Sequence, residues 1–285
     1  VVQWTSASER EVVSSPAVVD GTVYVGDNDG IVYALDANSG DEQWRFEAIT
    51  PVPVRSSPAV ADGTVYVSSR ESNVYALDAE SGDEQWRFDS VNRPAVSSPA
   101  VVDGTVYVGA GDDNVYALGA DSGTEQWRFE TDGPVSSSPA VADGTVYVGS
   151  EDENLYALDA DDGFRLWSFE TRGVVSSPTV ADGTVYVGSE DERLYALDVG
   201  NGSKRWEFEP RAVPKKPAVA DGTVYIGTDG NKVHAIDASA GSEQWTFLVD
   251  RATPPAVTNG TVYVGENELN VYGIDAGRGD EQWAV

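Results

Sequence analysis

Cysteine and methionine are absent from this 285-residue chain, histidine occurs once, at His234, and lysine only four times, at 204, 215, 216 and 232. The lack of cysteine excludes disulfides and thiolate chemistry, though it says nothing firm about compartment. A single histidine leaves any hydroxyl nucleophile with one imidazole to serve as its base. Long apolar runs are missing too, since nothing approaches the ~18 residues of a membrane span. With 18 lysines and arginines against 48 acidic residues there is no basic footprint, which excludes nucleic acid as a partner. No stretch carries helical periodicity.

What is abundant is carboxylate. The formal net charge of −30 repels itself and opposes compaction at low salt. Screening cuts the reach of that repulsion to about 3 Å at 1 M ionic strength. Many carboxylates with few lysines therefore suit a protein that works in concentrated salt. The composition resembles that of proteins from halophilic archaea, with an acidic mesophilic protein as the plainer alternative. The chain starts at Val1 rather than methionine, which reads as a trimmed or processed chain with any signal or anchor segment outside view.

The sequence repeats. Gly-Thr-Val-Tyr-(Val/Ile) begins at Gly21, Gly63, Gly104, Gly144, Gly183, Gly222 and Gly260, in steps of 42, 41, 40, 39, 39 and 38 residues. The tryptophans keep the same beat, at Trp4, Trp44, Trp86, Trp127, Trp167, Trp206, Trp245 and Trp283. One unit reads Ser14-Ser-Pro-Ala-Val18, Gly21-Thr-Val-Tyr-Val25, Ile31-Val-Tyr-Ala-Leu-Asp36 and Glu42-Gln-Trp-Arg-Phe46. These short pieces, rich in β-branched and aromatic residues, suit half-buried strands. Asp20-Gly21 is a two-residue hairpin signal, and the residues 26–30 and 38–41 read as longer turns.

A four-stranded meander cannot bury both faces alone, whereas radial stacking of such units can. The fold expected is all-β: a β-propeller of four-stranded antiparallel blades, seven most simply, eight as the alternative, in one domain spanning 1–285. A linear β-solenoid is the runner-up. The repeats fall near 11–50, 51–90, 91–131, 132–171, 172–210, 211–249 and 250–285, with residues 1–10 as an N-terminal strand able to close the ring. Closure is the difficult point. Trp4 and Trp283 compete for one outer position, so either one is redundant or an eighth blade completes the ring.

The passage Leu35-Asp-Ala-Asn-Ser-Gly-Asp-Glu-Gln-Trp44 recurs as Leu77 to Trp86, Leu118 to Trp127, Leu158 to Trp167, Leu197 to Trp206, Ile236 to Trp245 and Ile274 to Trp283. It resembles the tryptophan-docking repeat of the pyrroloquinoline-quinone (PQQ) repeat propellers. That family includes quinoprotein dehydrogenases, the assembly lipoprotein of the Bam complex and many surface proteins. The resemblance covers nearly the whole chain and speaks for the blade, not for an activity. It implies that Trp4, Trp44, Trp86, Trp127, Trp167, Trp206, Trp245 and Trp283 are structural docking residues, each indole packing on the neighbouring blade. It also implies an extracytoplasmic or cell-surface location.

The quinoprotein dehydrogenases of this family hold PQQ beneath an adjacent-cysteine disulfide, with Ca²⁺ and an Asp base. This chain has no cysteine, and its acids mostly recur from blade to blade, as Asp36, Asp78, Asp159, Asp198, Asp237 and Asp275 do. Recurring acids of that kind read as turn residues. The Ser-Ser pairs at 14/15, 56/57, 97/98, 137/138 and 176/177 lack a base, because His234 stands where other blades carry Tyr and reads as its packed substitute. No catalytic residue and no metal site is assigned. The acidic turns around Asp27, Asp112, Glu151 and Glu190 could attract Ca²⁺, but none is a complete calcium loop, and solvated turns are the default.

Functional signal is sought where the repeat breaks. The Ser-Ser-Pro lead-in becomes Lys215-Lys216-Pro217 in the sixth unit and Thr253-Pro254-Pro255 in the seventh. The loops before the first strands carry Arg10, Arg55, Arg93, Arg172, Arg211 and Arg251. Together with Lys215 and Lys216 these predict a basic channel face that suits a small anion, PQQ among them. Pairing of the arginines with nearby carboxylates is the competing reading. The expected function is a non-catalytic scaffold for another protein or a small anionic ligand; a sensor domain and a quinoprotein dehydrogenase are the alternatives.

Overall fold

The computed structural model describes residues 4–5, 11–12, 14–49, 52–70, 73–89, 97–266 and 270–285. Each repeat begins with a hairpin whose turn explains its Asp-Gly pair. Asp20 and Gly21 both have positive φ, 48° and 78°, the left-handed pair that matches the twist of the flanking strands. The same pair recurs in every repeat, with Asn259 replacing Asp in the last. It joins β1 (Ala17–Val19) to β2 (Thr22–Gly26), after which come β3 (Ile31–Asp36) and β4 (Glu42–Glu47). The four pair antiparallel in chain order.

Six more sheets repeat this order, giving a seven-bladed, all-β propeller with no helix among the described residues. A β-bulge sits at the same place in each blade: Ala34 faces Trp44 but Leu35 faces Glu42, which leaves Gln43 as the extra residue. Gln43 is put to use there, accepting a bond from Thr22 at 3.3 Å. In the fifth blade Arg205 takes the glutamine's position, donating to Thr184 at 2.7 Å and to Asp198 at 2.7 Å.

The blades fall into two compact units. One comprises Val1–Pro139 with Asp161–Phe164 and holds blades one to three; the other comprises Ala140–Ala160 with Arg165–Val285 and holds blades four to seven. Within each unit the core lies between successive sheets. Val32, Ala34 and Trp44 of blade one pack with Val65, Val67, Tyr75 and Leu77 of blade two, and Leu155, Ala157 and Tyr147 of blade four pack with Val185, Val187 and Tyr195 of blade five.

Six of the tryptophans dock as the resemblance implies, in one direction: Trp44, Trp86, Trp127, Trp167, Trp206 and Trp245 each serve the blade that follows their own. The Trp44 indole N–H and the Tyr24 hydroxyl both donate to the Ala79 carbonyl, at 3.0 and 3.2 Å. The same shared carbonyl recurs for Trp86 and Tyr66 at Ala120, Trp167 and Tyr147 at Val199, Trp206 and Tyr186 at Ala238, and Trp245 and Tyr225 at Ala276. The receiving turn must be free of side chain. A Cβ on Gly82 would lie 2.7 Å from the Trp44 ring, and Gly82 has φ of 78°, so glycine is required twice over. Trp127 lies against Gly163 in the same way.

At the N-terminus, Trp4 fills the turn of blade one, donating to Ala37 at 2.8 Å beside Gly40. Trp283 has no such partner among the described residues and is 39% exposed, against 7–9% for Trp44, Trp86 and Trp127.

Candidate binding face

The loops that lead into the first strands are laced to the turns between second and third strands. In the first unit, Val54 N–H donates to Asp27 O at 3.0 Å and Arg70 N–H to Pro53 O at 3.1 Å. In the second, Glu190 N–H donates to Val174 O at 2.9 Å, Asp229 N–H to Val213 O at 3.2 Å, and Val249 N–H to Asn231 O at 3.2 Å. Each of these four loops is thus pinned at the end of the blade where the acidic turns lie.

Those turns are built from inside. In blade one, buried Asp27 accepts from Asp29 N–H and Ile31 N–H, both at 2.9 Å, and from the Tyr33 hydroxyl at 3.1 Å. Asp112 takes the Tyr116 hydroxyl at 2.6 Å, Asp152 takes Tyr156 at 2.7 Å, and Asp191 takes Tyr195 at 2.6 Å. Burial and the bonded carboxylate raise both phenols, Tyr116 strongly and Tyr195 to about 12. The expectation of merely solvated acidic turns is therefore corrected. In blades one, three, four and five one turn acid accepts from a core tyrosine, six residues before it in blade one and four before it in the others, a role the sequence signals only by acid and Tyr recurring close together.

The sixth blade departs at several linked positions. His234 replaces the tyrosine and Gly230 the aspartate, so the acid–phenol pair is lost as a unit. His234 is buried, meets Phe208 edge-to-face at 5.6 Å as Tyr195 meets Phe169 at 5.2 Å, and shares a 2.7 Å hydrogen bond between Nδ1 and Glu243. Its reading as a packed tyrosine substitute holds. Burial holds its pKa below the ordinary value, against the opposing pull of Glu243. The loop facing it swaps glycines: a Cβ on Gly173 would meet Asp191 N at 2.7 Å, and one on Gly230 would meet Ala212 Cβ at 2.5 Å. One side of each contact must be glycine.

The serine pairs are structural. The first serine caps a strand amide, as Ser14 Oγ accepts from Gly26 N–H at 2.7 Å and Ser97 Oγ from Gly109 N–H at 2.7 Å. The second links blades, with Ser57 N–H donating to Ser98 Oγ at 2.8 Å and Ser98 N–H to Ser138 Oγ at 3.0 Å. Lys215 and Lys216 occupy these two positions in the sixth blade. Lys215 is committed to Asp229, at 2.6 Å. Lys216 keeps open surface and has no carboxylate within 4.0 Å among the described residues. Crowding by protein pushes its amine below the ordinary lysine pKa, and no charged neighbour contributes.

Of the predicted arginines, Arg10 and Arg93 lie outside the described residues. Arg55, Arg172, Arg211 and Arg251 are exposed on the lacing loops, and none has a carboxylate within 4.0 Å among the described residues. Arg172 and Arg251 are anchored through their backbone amides, to Asp191 at 3.3 Å and Asn231 at 3.3 Å, which leaves their guanidinium groups free. By contrast Arg45, Arg87, Arg128, Arg193 and Arg205, on third and fourth strands, each pair with an acid. Arg70, Arg165 and Arg278 have no ion-pair partner among the described residues either, at scattered exposed positions.

A PQQ–Ca²⁺ group does not fit the residues present. The chain offers no cysteine pair, and among the described residues no three His, Asp or Glu side chains are placed to hold a metal ion. The turn acids that would have to do so already accept tyrosine hydroxyls.

Fold and repeat together define a PQQ-type repeat propeller. The chain belongs to the family described as outer membrane protein assembly factor BamB, whose sequence pattern matches residues 2–110, 70–209 and 209–285. Solved structures agree on the fold. BamB from Moraxella catarrhalis is 20% identical, with a TM-score of 0.80 over 90% of this chain and 83% of that one. The computationally designed Ika8 protein is 15% identical, with a TM-score of 0.88 over 99% and 89%. The quinohemoprotein alcohol dehydrogenase ADHIIG from Pseudomonas putida HK5 is 16% identical, with a TM-score of 0.80 over 100% and 68%. A comparison with curated proteins gave no match.

Proposed function

We propose that this chain is a non-catalytic binding scaffold, working outside the cytoplasm in concentrated salt, that receives an anionic group of a protein partner or a small anion on its lacing loops. One observation carries the reading. In a chain of net charge −30, Arg172, Arg211, Arg251 and Lys216 of the second unit have no ion-pair partner among the described residues, on loops that are themselves held by hydrogen bonds. Fixed loops lower the entropy lost when a ligand is gripped, and free guanidinium groups suit carboxylate or phosphate. The family's description as an assembly factor favours a protein as the carrier of that anion.

Calorimetry in molar KCl, with citrate and PQQ as separate probes, tests the reading. Saturable heat is expected with the native chain, weakened at least about tenfold by R211E/K216E, a loss near 1.4 kcal/mol. Equal heats for both proteins would sink it. A dye-linked alcohol oxidation assay supplied with PQQ and Ca²⁺ should show no turnover.

A further inference from the structure

At the blade ends away from the lacing loops lie the Asp-Gly hairpins and the turns between third and fourth strands, as the antiparallel order requires. Between the fifth and sixth blades, both within the second unit, these turns enclose a cavity of about 480 Å³, in the size range of small-molecule sites. The fifth blade lines it with Asp182, Thr184, Tyr186 and Arg205, and the sixth with Asp221, Asp237 and Gln244 among others. Arg205 sets this groove apart. The corresponding residues of the other blades are Gln43, Gln85, Gln126, Leu166, Gln244 and Gln282, so this strand position carries a cation once in the chain. A guanidinium has about five N–H donors, of which Thr184 and Asp198 take one each, both at 2.7 Å. The others belong to a side chain that is 42% exposed on the cavity wall.

The carboxylates around it differ in state. Asp237 is engaged by its own turn, accepting from Ser239 N–H at 2.9 Å and Ala240 N–H at 2.8 Å. Asp182 and Asp221 are the left-handed hairpin residues, with φ of 47° and 48°. Both are exposed, and their carboxylates have no hydrogen bond or ion pair among the described residues. Charges of both signs meet at Tyr186: burial raises its phenol, Thr184 and Arg205 oppose that, and Asp182 and Asp237 reinforce it.

We propose that this cavity binds a small zwitterion of the α-amino acid class, with its carboxylate on Arg205 and its ammonium on Asp182 and Asp221. The charge pattern selects the ligand. An anion alone would answer Arg205 but face two uncompensated carboxylates, and a simple amine would leave the spare guanidinium donors unused. A zwitterion satisfies both signs through charge-assisted hydrogen bonds. A neutral sugar would find no open aromatic face for its ring, because Tyr186, the aromatic residue of the wall, is only 2% exposed. The walls are set before binding: the hairpin pair of positive φ recurs from blade to blade, and Arg205 is held by two bonds, so little order is lost when a ligand enters. The groove between the first and second blades has Asp20 and Asp62 in the same hairpins but Gln43 in the arginine's place, and so presents acid without the cation. The cavity lies at the other end of the blades from the lacing loops and does not depend on their anion.

A ¹⁵N NMR titration in molar KCl tests it, with L-glutamine as the probe. The reporters are the Gly222 amide in the cavity wall and the Trp206 indole N–H, which donates to the wall carbonyl of Ala238 at 2.9 Å. Saturable shifts are expected at both, with the Trp86 indole unmoved. Butylamine, which lacks the carboxylate, and butyrate, which lacks the ammonium, should each bind at least about tenfold more weakly, a loss near 1.4 kcal/mol. Two variants borrow residues the fold already accepts. R205Q installs the glutamine that five other blades carry, and D182N/D221N installs the residue that Asn259 supplies at φ of 49°. With far-UV circular dichroism unchanged, each should weaken glutamine binding at least about tenfold. The absence of saturable shifts in the native chain would overturn the proposal, as would unchanged affinity in either variant. Butylamine or butyrate binding as tightly as glutamine would overturn it too, because one charge would then suffice. Glucose binding more tightly than glutamine at the same reporters would overturn it in favour of a sugar site.

Discussion

Two glycines of the second blade separate the energy of docking from that of backbone strain. Gly63 and Gly82 sit in different turns with nearly equal φ, 73° and 78°. A Cβ on Gly63 would meet nothing within 4 Å, whereas one on Gly82 would lie 2.7 Å from the Trp44 ring. G63A therefore carries only the left-handed penalty of about 1–2 kcal/mol, partly offset by about 0.4–1 kcal/mol from a stiffer unfolded chain. G82A carries the same balance and must also move Trp44. Overpacking of a filled site costs about 1–3 kcal/mol, and losing the indole bond to Ala79 adds about 0.5–1.5 kcal/mol. The expected gap between the variants is about 2–4 kcal/mol, or roughly 4–8 °C in melting temperature for a chain of this size. Thermal unfolding in molar KCl, followed by tryptophan emission and far-UV circular dichroism, reads it directly. If the two variants melt together within about 1 °C, the glycine is there for its backbone alone and the account of docking is wrong.

The sixth blade and the turns yield further tests. H234Y alone buries a hydroxyl whose partner aspartate is missing at Gly230 and should cost about 1–3 kcal/mol by denaturant titration; adding G230D and A212G together should recover most of it, and no recovery would refute the linked swap. Stability should also fall on acidification in two steps. His234 has a folded pKa below its unfolded value of 6.5, so the unfolded chain binds its proton first and stability drops as pH falls below about 6.5 towards the folded pKa, a step that H234Q should remove. Asp36, Asp78, Asp198 and Asp237 have carboxyls lowered by backbone amides, Ser39, Ser81 or Ser239 hydroxyls, or Arg205; their stabilisation is present above the unfolded value of 3.8 and is lost as pH falls below it. A melting temperature flat between pH 7 and pH 3 would contradict both assignments.

Repeat length, strand identity, the Asp-Gly hairpins and the structural role of the tryptophans were legible along the chain, because each is a local pattern that recurs in every blade. A residue that recurs from blade to blade is held by the fold, as the serine pairs of five blades and the tyrosine-bonded turn acids are. His234 as a core residue followed from the same alignment of repeats. The bonds between blades were not legible. That Trp44 and Tyr24 share one carbonyl some 35 and 55 residues onward depends on how sheets stack, and periodicity is the same whichever neighbour a tryptophan chooses.

The loop face shows the same division. Sequence alone placed Arg55, Arg172, Arg211, Arg251, Lys215 and Lys216 before first strands, but it could not say which of them carboxylates neutralise. Ion pairing depends on side-chain reach across loops, and the tertiary structure separated adjacent residues: Lys215 is bound to Asp229, and Lys216 is free. It likewise set Trp4 and Trp283 in different surroundings. The sequence reads Gln-Trp at both positions, and only packing tells them apart: Trp4 lies against Gly40, while Trp283 is 39% exposed.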